Sequence, residues 1–192
     1  MKVKTVYRFK RGSWASKLPG AERALLEARL RVSCNSKLSA KLLVFASTLD
    51  FRTFWHAAID DMKIDRRTLA IVHDTACEVE SFREGRYEHY VQADKHYFAI
   101  IAMLYPRCFD TEVISHEAVH AALAYTRRVG NRMRWVSGVQ NCNDENSDES
   151  LCYATGRIAA AMTDLLIGRK ASIDAGFKAL TATKQRNGRT RT

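Results

Sequence analysis

The chain has 192 residues; 46% are hydrophobic, 27% are charged and only two are prolines. That composition suits one folded domain with short extensions and excludes collagen-like, low-complexity and disordered classes; no apolar run approaches the roughly 18 residues that a membrane span needs. The formal net charge of +10 resides in the ends: residues 1–17 carry six basic side chains and no acid, residues 181–192 carry four and no acid, and residues 18–180 are formally neutral.

The expected organisation is therefore a basic N-terminal arm (1–17), a single domain (18–180) and a flexible basic C-terminal tail (181–192). Val3 to Phe9 can form a short strand. Ala21 to Val32 reads as a helix with Ala21, Ala24, Leu25, Ala28 and Val32 on its apolar face, and a second helix follows Asn35 or Ser36 with Leu38, Leu42, Leu43 and Phe45 apolar. A third spans Asp50 to Met62 and turns Phe51, Phe54, Trp55 and Ile59 inward. The period then shortens. Thr68 to His73, Cys77 to Phe82, Tyr87 to Gln92 and His96 to Tyr105 are aliphatic and aromatic runs separated by polar turns such as Ala93-Asp94-Lys95, and predict a small mixed or antiparallel sheet. After Pro106 the helical period returns: Asp110 or Thr111 caps a helix to about Arg128, a loop covers 130–146, and Asn146 or Ser147 caps a long helix to about Ile167. Gly168-Arg169-Lys170 then leads into a short helix and the tail.

Five cysteines (Cys34, Cys77, Cys108, Cys142 and Cys152) without a Cys-x-x-Cys pair favour reduced thiols over a disulfide framework or a cysteine zinc knuckle. Met1-Lys2-Val3-Lys4 lacks the apolar stretch of a secretory signal, so a cytoplasmic location is expected.

The chemistry concentrates in His116-Glu117-Ala118-Val119-His120. Histidines four apart on a helix lie one turn apart on the same face and can share one Zn2+ at about 2.0–2.1 Å, while the glutamate between them is rotated toward a water that the ion activates. A third ligand is needed, and the next helix opens on Asp144, Glu145, Asp148 and Glu149. Glu149 is the preferred ligand because Cys152, Tyr153 and Gly156 follow it at helical spacing; Asp148 or Glu145 are alternatives, as is a purely capping role for these acids. Tyr153 is the candidate stabiliser of an oxyanion, with Tyr125, His89 and His96 weighed beside it. A thiolate from Cys142 or Cys152 is the less favoured ligand.

A sheet ending in His96 to Tyr105, a helix bearing His116-Glu117-Ala118-Val119-His120 and a following helix bearing Asp148-Glu149-Ser150-Leu151-Cys152-Tyr153 together resemble the zincin metallopeptidases of the gluzincin type. They are also similar to small zincin-like proteins encoded by bacteriophages. The resemblance covers about residues 68–167. It departs from the compact thermolysin-like pattern in a longer gap between His120 and Glu149 and in Glu-x-x-Cys where small residues are usual. It implies an α+β zincin-like fold with helices ahead of the sheet, and Zn2+ held by His116, His120 and Glu149 with Glu117 as general base. The implied activity is hydrolysis of peptide bonds in an intracellular protein, acting in the host cell if the chain is phage-encoded. It also places His96 to Tyr105 at the sheet edge, where an extended substrate would pair with it.

The rival reading keeps the fold but makes the chain a binding protein that meets nucleic acid or an acidic protein through its basic termini. Arg132, Arg134 and Trp135, just beyond the motif helix, would then be contacts for phosphate and base. There is no membrane partner in either reading, and no Walker-type loop or Gly-x-Ser-x-Gly motif supports nucleotide or serine-hydrolase chemistry.

Overall fold

The computed structural model describes residues 15, 18–32, 38–58, 67–83, 86–130 and 145–189; among these, the side chains of 76–93, 129–130, 145–150 and 184–189 are not described. The expected strand at Val3 to Phe9 and the loop residues Arg132, Arg134 and Trp135 lie outside the described residues.

The molecule is mixed α+β. Strands β1 (Ala24–Arg31), β2 (Ser39–Phe45), β3 (Ala70–Asp74) and β6 (Tyr97–Leu104) form a four-stranded sheet in the order β1-β2-β6-β3. Only β2 and β6 run parallel; β1 pairs antiparallel with β2, and β3 antiparallel with β6. β4 (Ala76–Arg83) and β5 (Arg86–Ala93) pair with each other as a separate antiparallel ribbon.

The two helices expected before Phe45 are strands instead. Leu26-Glu27-Ala28-Arg29-Leu30-Arg31-Val32 is built of good helix formers, but from Glu27 onward its burial alternates strictly, with Glu27, Arg29 and Arg31 exposed and Leu30 and Val32 buried. That period of two matches one half-buried face of an edge strand, so sheet packing overrides helical propensity. In β2 all seven residues are buried. Such a continuous run belongs to an interior strand covered on both faces, and helical spacing cannot be told from it over so short a stretch.

One sheet face packs Ala40, Leu42, Val44, Ile101 and Met103 against helices α2 (Thr111–Gly130) and α3 (Glu145–Arg189). The other packs Leu43, Phe45, Ile100, Ala102 and Leu104 against helix α1 (Thr48–Ala58), which contributes Phe51, Phe54 and Trp55. Ser47 caps α1 by accepting the amide of Asp50 at 3.1 Å, and its hydroxyl donates to the Asp50 carboxylate at 2.6 Å. Phe51, Phe54 and Trp55 face inward as their spacing predicts, and Ile59 lies outside the described residues.

His73 on β3 meets the Trp55 ring edge-on at a centroid distance of 6.1 Å. Burial lowers its pKa to about 4, below the usual 6.5. A depressed histidine pKa means that the unfolded chain binds the extra proton first. Stability is therefore full above about pH 6.5 and falls as the pH drops toward 4, by roughly 2–3 kcal/mol for this partly buried ring. Denaturant unfolding of the native chain and of His73→Gln between pH 7 and 4.5 checks this: the variant should lose that share of the acid sensitivity, and identical pH slopes would refute it.

α3 is continuous over 45 residues, about 67 Å. It does not end near Ile167, and residues 181–189 of the expected tail belong to it. Gly168 costs about 1 kcal/mol relative to alanine in a helix interior, and buried Leu166 and Ile173 on either side hold the helix through it. Lys170 reinforces the next turn through Asp174 at 2.7 Å and sits over the Phe109 ring at 4.7 Å.

Candidate metal centre on helix α2

α2 starts where its sequence says it should. Asp110 accepts the amide of Glu112 on its carboxylate at 3.0 Å and that of Ile114 on its carbonyl at 2.9 Å, which satisfies two of the free N–H groups of the first turn. The helix buries Ile114, Glu117, Ala118, Ala121, Ala122 and Ala124 and exposes His116, Val119 and His120. The four alanines let α2 lie close to its neighbours, and Ala118, Ala121, Ala122 and Ala124 share one core with Ala154, Ile158 and Met162 of α3.

The two imidazoles converge. Nε2 of His116 and Nε2 of His120 are 3.2 Å apart, with ring centroids 4.8 Å apart and an interplanar angle of 71°. Two neutral rings reach this distance when one donates to the other. The same separation also suits a shared ion: bonds of about 2.0–2.1 Å to nitrogens 3.2 Å apart enclose roughly 100–106°, near the tetrahedral value. The separation of the two nitrogens is thus the one that two ligands of a shared zinc would have.

Glu117 is turned about 100° from His116 around the helix and is 5% exposed. Burial pushes its carboxyl up to about 6, against a smaller opposing pull from His116. A carboxyl in this range can exchange protons near neutral pH, as a general base requires.

Glu145, Asp148 and Glu149 lie in the first turns of α3, and their side chains are outside the described residues. Among the described residues no third histidine, cysteine or carboxylate joins the pair. Tyr153 is 66% exposed and lines an open hollow on α3 with Cys152, Gly156 and Arg157. Of the other oxyanion candidates, Tyr125 packs edge-on against Phe98 at 5.1 Å as a core residue, His96 belongs to the turn before β6, and the side chain of His89 on β5 is not described. Cys108 is fully buried and its thiol is pushed up to about 12, so it stays a thiol.

The expected edge position of His96 to Tyr105 is overturned. β6 has β2 on one side and β3 on the other, so its backbone is already paired. β1 and β3 are the edge strands instead, and β3 packs against α2. The last turn of α2 is fastened here. Arg127 reaches Asp74 of β3 at 3.7 Å, and the Arg128 guanidinium donates to the Asp94 carbonyl. These two cations serve the protein's own framework.

Asp94 is the residue that motif reasoning passes over. It is fully buried; Oδ1 accepts the amides of His96 at 2.8 Å and Tyr97 at 3.0 Å, and Oδ2 accepts that of Ala15 at 3.0 Å. With Arg128 on its carbonyl, it ties the motif helix, the start of β6 and the N-terminal segment together. An aspartate in a turn that bonds the amide two residues on is a known turn signal, and that signal is present in Ala93-Asp94-Lys95-His96.

Comparison with protein-family models, with curated proteins and with solved structures finds no match to this chain.

Proposed function

We propose that the chain is a zinc-dependent metallopeptidase with a zincin-like fold, hydrolysing peptide bonds of a protein in the cytoplasm. The observation that carries this reading is the 3.2 Å approach of the His116 and His120 Nε2 atoms beside the buried Glu117. His116 and His120 would hold the metal with the Glu149 carboxylate, Asp148 and Glu145 being the alternatives for that third place. When bound, zinc acidifies a water and polarises the scissile carbonyl. Glu117 takes the proton of that water on its carboxylate and returns it to the leaving amine. Tyr153 supplies a hydroxyl toward the carbonyl oxygen. Kinship with small phage-encoded zincins belongs to the same proposal.

Metal analysis tests it. The purified native chain should carry about one equivalent of zinc, and His116→Ala or His120→Ala should lose it. Glu149→Ala should weaken zinc binding at least about 100-fold while Asp148→Ala and Glu145→Ala hold it; the reverse pattern moves the third ligand. A native chain that takes up no zinc even when supplied with it would end the proposal.

A further inference from the structure

α3 buries Ala154, Ile158, Met162 and Leu166 in the core and exposes the opposite side. Two large apolar residues stand on that exposed side, Tyr153 at 66% and Ile167 at 65% exposure. At about 100° per residue they fall within about 40° of one another, with exposed Gly156 and Ala160 between them. Cys152, Tyr153, Gly156 and Arg157 enclose an open hollow on the same side. In paired helices, a side chain inserted from one helix sits among four residues of the other. A Cβ added at Gly156 would meet nothing within 4 Å, so no packing within the chain requires glycine there, although glycine costs about 1 kcal/mol relative to alanine in a helix interior. The open hollow has room for a side chain from outside.

Charge narrows the occupant. Arg157 and Asp164 flank this stripe on one side, about 20° apart around the helix, and among the described residues neither has an ion-pair partner. Between Tyr153 and Ile167 the stripe therefore carries one cation, one anion and no net charge. A polyanion or a surface of one sign would leave one of the two opposed. A second copy, turned antiparallel about a two-fold axis beside Ala160, matches both: Arg157 of each copy comes opposite Asp164 of the other. The same register sets Ile167 of each copy opposite the middle of the other's hollow, between Tyr153 and Gly156. Packing and charge thus select one alignment. We propose that the chain forms a two-fold dimer through antiparallel α3 helices, with Ile167 seated in the hollow of the second copy and Arg157 paired with its Asp164. Pairing covers Tyr153 and leaves the use of its hydroxyl in hydrolysis to the separate chain.

Sedimentation of the full chain from about 5 to 500 μM tests this. A contact about 23 Å long is small for a protein interface, so the dimer should dissociate in the micromolar range. Arg157→Glu and Asp164→Lys each set like charges opposite one another twice and should weaken the dimer at least about 10-fold, with native circular dichroism. Ile167→Ser should weaken it by a similar factor. An equimolar mixture of Arg157→Glu and Asp164→Lys chains should dimerise about as well as the native protein, because in the mixed pair both contacts again join opposite charges. Three results would each overturn the proposal: a native chain that stays monomeric at about 500 μM, single variants that dimerise as well as the native chain, or a mixture no more dimeric than its components. The first would leave the face to a different protein, the second would move the contact to another surface, and the third would exclude the antiparallel register. None of these substitutions touches His116, Glu117, His120 or Glu149, so zinc content should be unchanged and the outcome is independent of the metal centre.

Discussion

Glu117→Gln is expected to lower peptide hydrolysis by about 100- to 10,000-fold while the zinc content stays at the native level. Gln keeps the shape and the buried position of Glu117 on α2 but cannot accept a proton. The two imidazoles remain in place, since they are positioned by α2 itself and by each other at 3.2 Å. His116→Ala should remove activity and metal together. Measuring kcat/KM on a peptide-library substrate alongside zinc content separates these effects. Full activity in Glu117→Gln would remove it as the base, and loss of zinc in that variant would make it a ligand instead.

Asp94→Ala is expected to destabilise the fold by about 3–5 kcal/mol. Three backbone amides lose a carboxylate acceptor in a fully buried site, and hydrogen bonds to a charged group contribute about 1.5–3 kcal/mol each before relaxation and solvent entry reduce the sum. Asp94→Asn keeps one acceptor oxygen and should cost about half as much. Because Arg128 at the end of α2 is bound to the Asp94 carbonyl, the alanine variant should also hold zinc less tightly than its residual folded fraction alone accounts for. Denaturant unfolding followed by circular dichroism, with zinc titration of the folded sample, reads both effects. A loss below about 1 kcal/mol would show that Asp94 is not the joint described above.

The elements around the histidine pair were legible because their signals were local. Asp110 announces the start of α2, and Pro106 separates it from β6. Thr68 to His73 and His96 to Tyr105 correspond to β3 and β6 within two residues at each end. The failures were non-local. Residues 24–31 and 39–45 have helical composition, and what makes them strands is pairing and burial in the sheet: Leu30 lies opposite Ala40, and Leu42 opposite Ile101, 59 residues further along the chain. The edge position given to β6 failed for the same reason, since no local feature of Tyr97–Leu104 reveals that β2 will occupy its other side. Gly168 misled in the opposite direction, its local cost being smaller than the packing around it. Within the site, the spacing of His116 and His120 was enough to bring their rings together, whereas Asp94 is marked locally only as a turn aspartate, and its bonds to Ala15 and Arg128 join segments far apart in the chain.

The parallel pairing of β2 with β6 carries a consequence for synthesis. Phe45 completes β2, but its neighbour is finished only at Leu104, roughly 3–12 s later at about 5–20 residues per second. During that interval the nascent chain displays a seven-residue strand, apolar on both faces apart from Ser39 and Lys41, with one open hydrogen-bonding edge. Ribosome-bound fragments ending between Phe45 and Leu104 should therefore coaggregate or recruit holdase chaperones, while chains released after α3 should not.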